Sequence, residues 1–118
     1  GIGIVDYNPD SWVVLKIMQP DQDTLYKVLG GWSGGYLDGD SWRLNSGIAK
    51  VVYREEYVDF YGESGSVYQC PLSQYRLRMN NAGIWNQLKE KFGDAVELMP
   101  EITDWSTLDP AKYYTENN

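Results

Sequence analysis

Residues 30–47 read GGWSGGYLDGDSWRLNSG and constrain the fold more than any other stretch. They hold six of the chain's twelve glycines, with Trp32, Tyr36, Trp42, two aspartates and Arg43 among them. Glycine reaches positive φ without steric cost, so a run this dense in it reads as a long connection rather than a regular element. Apolar, strand-like segments lie on both sides of it. Trp32, Tyr36 and Trp42 read as anchors that pin the connection onto a sheet. The 118 residues suffice for one domain, 1–118, with a real core.

Before this stretch, residues 12–18 (WVVLKIM) form a β-branched apolar run. Asn8, Pro9 and Asp10 precede it and Gln19, Pro20 and Asp21 follow it, which predicts a strand between turns. A second strand is predicted over residues 25–29, joined to the first by a hairpin through residues 20–23. After the stretch, Lys50, Val52 and Arg54 alternate with Ala49, Val51 and Tyr53, the period of a half-buried strand with the second set inward. Residues 57–62 place Val58 and Phe60 inward and Asp59 outward, so the two segments pair as an antiparallel hairpin. Residues 62–65 (GESG) turn the chain into SVYQC, with Tyr68 and Cys70 inward and Pro71 ending the strand.

The first helical signal comes later. Ile84, Trp85, Leu88 and Phe92 fall on one helical face, Asn80 or Asn81 serves as N-cap, and Gly93 sits at the C-cap. Three turns are too few to be stable alone, so this stripe must dock on the sheet. Residues 95–99 add a short strand. Trp105, Leu108, Tyr113 and Tyr114 argue that part of the acidic C-terminal segment, 101–118, docks on the domain, and the segment is expected on its outside. The fold class expected is α+β: a curved antiparallel sheet of about five strands, open or rolled into a partial barrel, packed with one helix near residues 81–92.

The chain has no histidine and one cysteine, Cys70. The usual zinc sites cannot be built from that set, and no step can run through an imidazole. Catalysis would fall to carboxylates, Tyr, Lys, Arg or a hard metal on oxygen ligands. The sequence therefore argues against an enzyme without closing the possibility, and no catalytic residue, metal ligand or cofactor is assigned. A lone Cys suits a reducing compartment. Net charge is −7, concentrated in residues 90–118, which carry seven acids and two bases. There is no cluster of Lys and Arg, so direct nucleic-acid binding is not expected. No apolar run is long enough to span a bilayer, so no membrane association is expected. The first residues lack the basic and apolar regions of a secretory leader, although removal of a leader before Gly1 would leave the same start. Ten Tyr and five Trp stand against two Phe. Such side chains suit half-exposed surfaces and interfaces, and serve equally as cross-strand core pairs.

Three constellations invite a chemical reading. Asp38, Gly39 and Asp40 resemble part of a Ca²⁺ loop, but Trp42, Arg43 and Leu44 occupy the following positions and no closing Glu is in place. Glu55 and Glu56 are adjacent, so on a strand they face opposite ways and make a poor acid/base pair. Arg76 and Arg78 are two apart and share a face if extended, just before the helix start at Asn80 and Asn81. Two guanidinium forks beside helix N–H groups can hold an anion, with Arg43 joining if the connection folds back and Trp42, Tyr75 or Trp85 offering a stacking surface. Pairing of these arginines with acids is the competing reading. Trp32, Tyr36 and Trp42 would also suit a glycan if their rings were exposed and coplanar.

The strings GDSWRLNSG and SGSVY, within GWSGGYLDGDSWRLNSGI, YVDFYGESGSVYQC and LRMNNAGIWNQL, resemble small uncharacterised proteins encoded by bacteriophages and prophages. The resemblance covers roughly residues 12–100 and transfers no functional residue. It implies an accessory product at work in the cytoplasm of an infected or lysogenic bacterial host. The function expected is non-enzymatic binding of a host or phage protein, alone or as a homo-oligomer. The alternative is sequestration of a nucleotide or other phosphorylated anion by the arginine pair.

Overall fold

The computed structural model describes residues 5–35 and 39–109. Among them the strands are β1 (Ser11–Ile17), β2 (Leu25–Gly35), β3 (Gly39–Leu44), β4 (Ile48–Tyr53), β5 (Tyr57–Gly62), β6 (Val67–Pro71) and β7 (Val96–Leu98), and the helix is α1 (Met79–Phe92). The α+β class and antiparallel pairing are as expected. A single sheet is not what forms: the strands assort into two open sheets, β3-β2-β1-β7 and β4-β5-β6. The physical reason lies at residues 45–47. The Asn45 N–H donates to the Val28 carbonyl (3.0 Å) and its Oδ1 accepts from the Val28 N–H (2.9 Å), which closes the β2–β3 ladder. Gly47, at φ 138°, then turns the chain out of the first sheet; a Cβ there would also meet Glu63 Oε2 at 2.9 Å. Strands β4 to β6 follow as a separate meander.

The glycine-rich stretch is mostly strand, which corrects its reading as a long connection. Strand β2 runs on to Gly35 and β3 begins at Gly39, with Gly30 opposite Arg43, Gly31 opposite Trp42 and Trp32 opposite Ser41. Glycine weakens a strand by its entropy. Here each glycine of the pair at 30 and 31 faces a large side chain across the ladder, so volume is complementary. An irregularity between Trp32 and Gly35 marks where regular pairing ends.

The first sheet is the middle layer of three. On one face Trp12, Val14 and Val28 meet Ile48, Val51, Val58, Phe60, Tyr68 and Cys70 of the second sheet. On the other, Val13, Leu15, Leu29 and Val96 meet Ile84, Trp85 and Leu88 of α1. Strand β1 is therefore buried on both sides, which is why its sequence is a continuous apolar run instead of an alternation. Trp12, fully buried, sits at the centre. Its ring lies 5.5 Å from Phe60, 4.8 Å from Tyr75 and 5.3 Å from Trp105, and its indole N–H donates to the Pro71 carbonyl at 2.6 Å.

Strand β7 pairs only with Leu15, Lys16 and Ile17, so the first half of β1 lacks a strand on that side. Other groups fill the ladder. The Arg76 N–H donates to the Trp12 carbonyl (3.0 Å) and the Met99 N–H to the Val14 carbonyl (2.9 Å). The Tyr75 hydroxyl accepts from the Val14 N–H at 3.2 Å and donates to the Met99 carbonyl. The second sheet is closed similarly. Residues 6–7 run beside β6, with both N–H groups on the Val67 carbonyl and the Tyr7 carbonyl accepting from Gln69, while Asp6 accepts from the Val67 N–H. At β4, Asp109 accepts from the Val51 N–H at 3.0 Å.

Several local expectations shift. A register irregularity between Ile48 and Lys50 breaks the alternation of β4, so that Ile48 and Val51 are both buried; Tyr53, opposite the buried Val58, is 44% exposed, its hydroxyl accepting from the Trp105 N–H. Asp59 faces away from Phe60 as expected but is only 2% exposed, covered in part by Arg54, whose Nε lies 3.0 Å from Asp59 Oδ2. The C-terminal segment is not merely outside: Trp105 and Leu108 are part of the inter-sheet core. Helix α1 starts earlier than expected, with Arg78 in the cap position and Asn81 reaching back to accept from the Arg78 N–H at 2.7 Å. Gly93 ends it at φ 57°. Phe92, expected on the docking stripe, is 50% exposed and lies beneath the Lys91 ammonium.

Two predictions follow from this packing. Leu88→Asp puts a charge in the α1–sheet seam and should cost about 2–4 kcal/mol or prevent folding, read from urea unfolding. Tyr75→Phe orphans the Val14 N–H and the Met99 carbonyl, at about 1–3 kcal/mol per buried group. Burial raises the Tyr75 hydroxyl from 10.0 to about 12. Its contribution is complete below the unfolded value and is lost as pH climbs from about 10 through about 12, because the unfolded chain then releases a proton that the folded chain retains. Tyr75→Phe should therefore flatten the alkaline fall in stability; an identical fall in both proteins would exclude Tyr75 as its source.

Candidate functional site

Neighbouring residues on a strand face opposite ways, and β3 uses both faces. Leu44 packs in the α1-side core, so Trp42 lies on that same side, where it is 48% exposed. Arg43 stands opposite Gly30, in the row of Trp12, and so faces the second sheet. Its guanidinium carbon lies 4.5 Å over the Tyr7 ring. The backbone of β3 divides in the same way. Because the Asn45 N–H points to Val28, the main-chain groups of Arg43 and Ser41 face β2, and those of Trp42 and Leu44 point out of the sheet. Strand β3 is the end strand of the first sheet.

The sequence-predicted anion residues do not all converge. Arg76 and Arg78 flank Leu77, which packs into the α1-side core, and both guanidinium groups are exposed beside the helix start. Neither is ion-paired among the described residues; Arg76 Nη2 donates to Gln74 Oε1. Asn81 joins them, fully buried, with its Nδ2 lacking a partner. The Asn80 side chain lies outside the described residues. Arg43 does not join them, because it faces away from α1. Trp42 shares the α1 side of the sheet, on the end strand.

Trp32 and Trp42 cannot form one glycan platform. Trp32 pairs with Ser41 and Trp42 with Gly31, so the two rings lie on opposite faces of the sheet. Trp32 instead packs edge-on to Tyr7 at 6.2 Å, its indole N–H on the Asn8 carbonyl. Tyr36 lies outside the described residues, as does Asp38 of the Ca²⁺-like string, while Gly39 and Asp40 open strand β3. Among the described residues no group of three or more Cys, Asp or Glu is placed to hold a metal. Glu55 and Glu56 are exposed between β4 and β5.

One feature was not read from the sequence. Where the end of β3 meets the β5–β6 turn, a cavity of about 360 Å³ is lined by Lys27, Arg43, Leu44, Asn45, Ser46, Ser64 and Ser66, with Tyr7 and Tyr68 as walls. Its signal lay in two serine-flanked glycines, Gly47 and Gly65, far apart in the chain. A larger depression of about 660 Å³ over Gln19, Asp21, Gln22, Asp23 and Leu25 is an open dish on the exposed β1–β2 turn, with no converging donors.

No helix among the described residues is long and apolar enough to cross a membrane. Comparison with known proteins gives no match, whether to a protein-family model, a curated protein or a solved structure.

Cys70 is fully buried, and burial, followed by the Asp59 charge, pushes its thiol well above the usual value. A thiol held neutral and out of reach is no nucleophile. Cys70 should react with a disulfide reagent only on unfolding; rapid labelling of the folded protein would contradict this placement.

Proposed function

We propose that this chain is a non-enzymatic accessory protein of the bacteriophage or prophage kind, acting in the cytoplasm of a bacterial host, that binds a host or phage protein through strand β3. A partner strand adds to this edge by main-chain hydrogen bonds, and Trp42 fills an apolar recess on the partner. The observation that carries the reading is a contrast between edges. The β6 edge is occupied by residues 6–7, the β4 edge is capped by Asp109, and the short β7 has its Val96 carbonyl held by Lys89. Strand β3 keeps outward main-chain groups at Trp42 and Leu44 with a half-exposed indole beside them. Open, apolar edges are usually blunted in proteins that must avoid association. The acidic surface and the wealth of Tyr and Trp also support a protein-binding role.

A second reading is favoured by the two arginines at the start of α1, neither ion-paired among the described residues: sequestration of a nucleotide or other phosphorylated anion by Arg76 and Arg78.

Capture from host lysate should yield a saturable partner for the wild type. Trp42→Ala should weaken that partner by at least about tenfold, about 1.4 kcal/mol, with an unchanged melting temperature. Light scattering in parallel distinguishes a second copy of this chain from a foreign partner. The reading fails if only background is captured, or if the captured protein binds Trp42→Ala as tightly as the wild type.

A further inference from the structure

We propose that the cavity between the end of β3 and the β5–β6 turn is a binding site for a small molecule carrying a phosphate-type oxyanion, held by Arg43 and Lys27 and favoured by the unpaired amide dipole of Asn45. The site adjoins the β3 edge at Leu44, but Arg43 and Trp42 face opposite ways on that strand.

Four observations converge. Charge comes first. In a chain of net charge −7, Lys27 from the α1 face of β2 and Arg43 from the opposite face of β3 both border one cavity whose described lining residues include no carboxylate. Neither cation is ion-paired among the described residues. The nearby Asp6 is already committed, accepting from the Val67 N–H at 2.7 Å. The second observation is a missing acceptor. Asn45 is 4% exposed and lines the cavity; its Oδ1 is fixed by the Val28 N–H, and its Nδ2 has no hydrogen-bond partner. Buried amide donors are rarely left in that state, and the uncompensated N–H dipole favours negative charge in the cavity that Asn45 lines.

The third is the hydroxyl arrangement. Ser46 Oγ accepts from the Ser64 N–H at 2.9 Å and donates to Ser64 Oγ at 3.2 Å, which leaves the Ser64 hydroxyl proton to donate elsewhere. Ser66 adds a second hydroxyl to the same wall. The fourth is rigidity. Arg43 is laid over Tyr7, whose ring is 4.8 Å from that of Tyr68, and the Tyr7 carbonyl is tied to the Gln69 N–H. The guanidinium is thus held in place before a ligand arrives, which lowers the ordering cost of binding. Burial pushes the Tyr68 phenol up to about 12 against the pull of Arg43, so near neutral pH the wall remains a neutral donor and does not repel an anion.

A volume of about 360 Å³ exceeds what a bare phosphate needs and lies within the usual range of small-ligand sites. The hydroxyl-rich wall suits a polyhydroxylated organic group, so a sugar phosphate is the class that fits best.

The test uses the intact chain, isotope-labelled, titrated with inorganic phosphate, glucose 6-phosphate and glucose at constant ionic strength. Expected are saturable shifts of the Asn45 side-chain NH₂ and the Ser64 and Ser66 amides with both phosphate compounds, glucose 6-phosphate binding at least as tightly, and no shift with glucose. Arg43→Gln and Lys27→Gln should each weaken binding by about tenfold or more. Lys91→Gln, an equal charge change on α1, should leave it unchanged. Asn45→Asp keeps the Val28 acceptor and should abolish binding; if it fails to fold, the Arg43 and Lys27 variants decide. Absence of saturable shifts, exclusion of glucose 6-phosphate, or an equal loss in Lys91→Gln would each overturn the proposal. Loss in Arg76→Ala/Arg78→Ala with binding retained in Arg43→Gln would also overturn it and move the anion to the helix start.

Discussion

The rest of the structure depends on Trp12. From the middle sheet it touches Phe60 of the second sheet, Tyr75 of the segment before α1 and Trp105 of the C-terminal segment. Its single polar atom is satisfied by the carbonyl of Pro71, at the end of β6. That bond fixes where the second sheet stops relative to the first. An indole buried without it would leave an orphaned donor in the core, so the residue that packs the layers also sets their register.

From that centre the arrangement follows from the need to pair backbone groups. A three-residue β7 cannot cover β1, and the uncovered half is filled by Tyr75, Arg76 and Met99. The second sheet borrows residues 6–7 and Asp109 to close its two sides. Local segments with no regular structure thus do the work that further strands would do in a larger protein. The consequence is a domain in which residues 6–7 close a sheet edge and Trp105 and Leu108 enter the core, with Trp105 as well buried as the strand residues around it.

Both proposals rest on β3, because this strand ends its sheet and projects side chains both ways. Trp42 and the outward main chain carry the proposed association; Arg43 faces the second sheet at the proposed anion site, which Lys27, on the α1 face of β2, also borders. On these proposals one strand serves two kinds of recognition, one apolar and main-chain, the other anionic.

Much of this was legible in the residues. The two-sided burial of β1 is written in WVVL, the α1 docking stripe in Ile84, Trp85 and Leu88, and the tight turn before β6 in GESG. The inward placement of Val58, Phe60, Tyr68 and Cys70 follows from strand alternation, and the absence of histidine limits the chemistry whatever the fold. What the chain alone did not disclose depends on partners distant in sequence. Glycines 30 and 31 look like loop residues until Arg43 and Trp42 stand opposite them. Asn45 looks like an ordinary turn residue until its two hydrogen bonds to Val28 end one sheet and leave Nδ2 buried without a partner. Periodicity reports which face of a segment is apolar, because that is a local property of spacing. Which sheet a strand joins, which edge stays open and which charges meet across a seam are decided by pairing between distant segments, and only the tertiary structure holds that information.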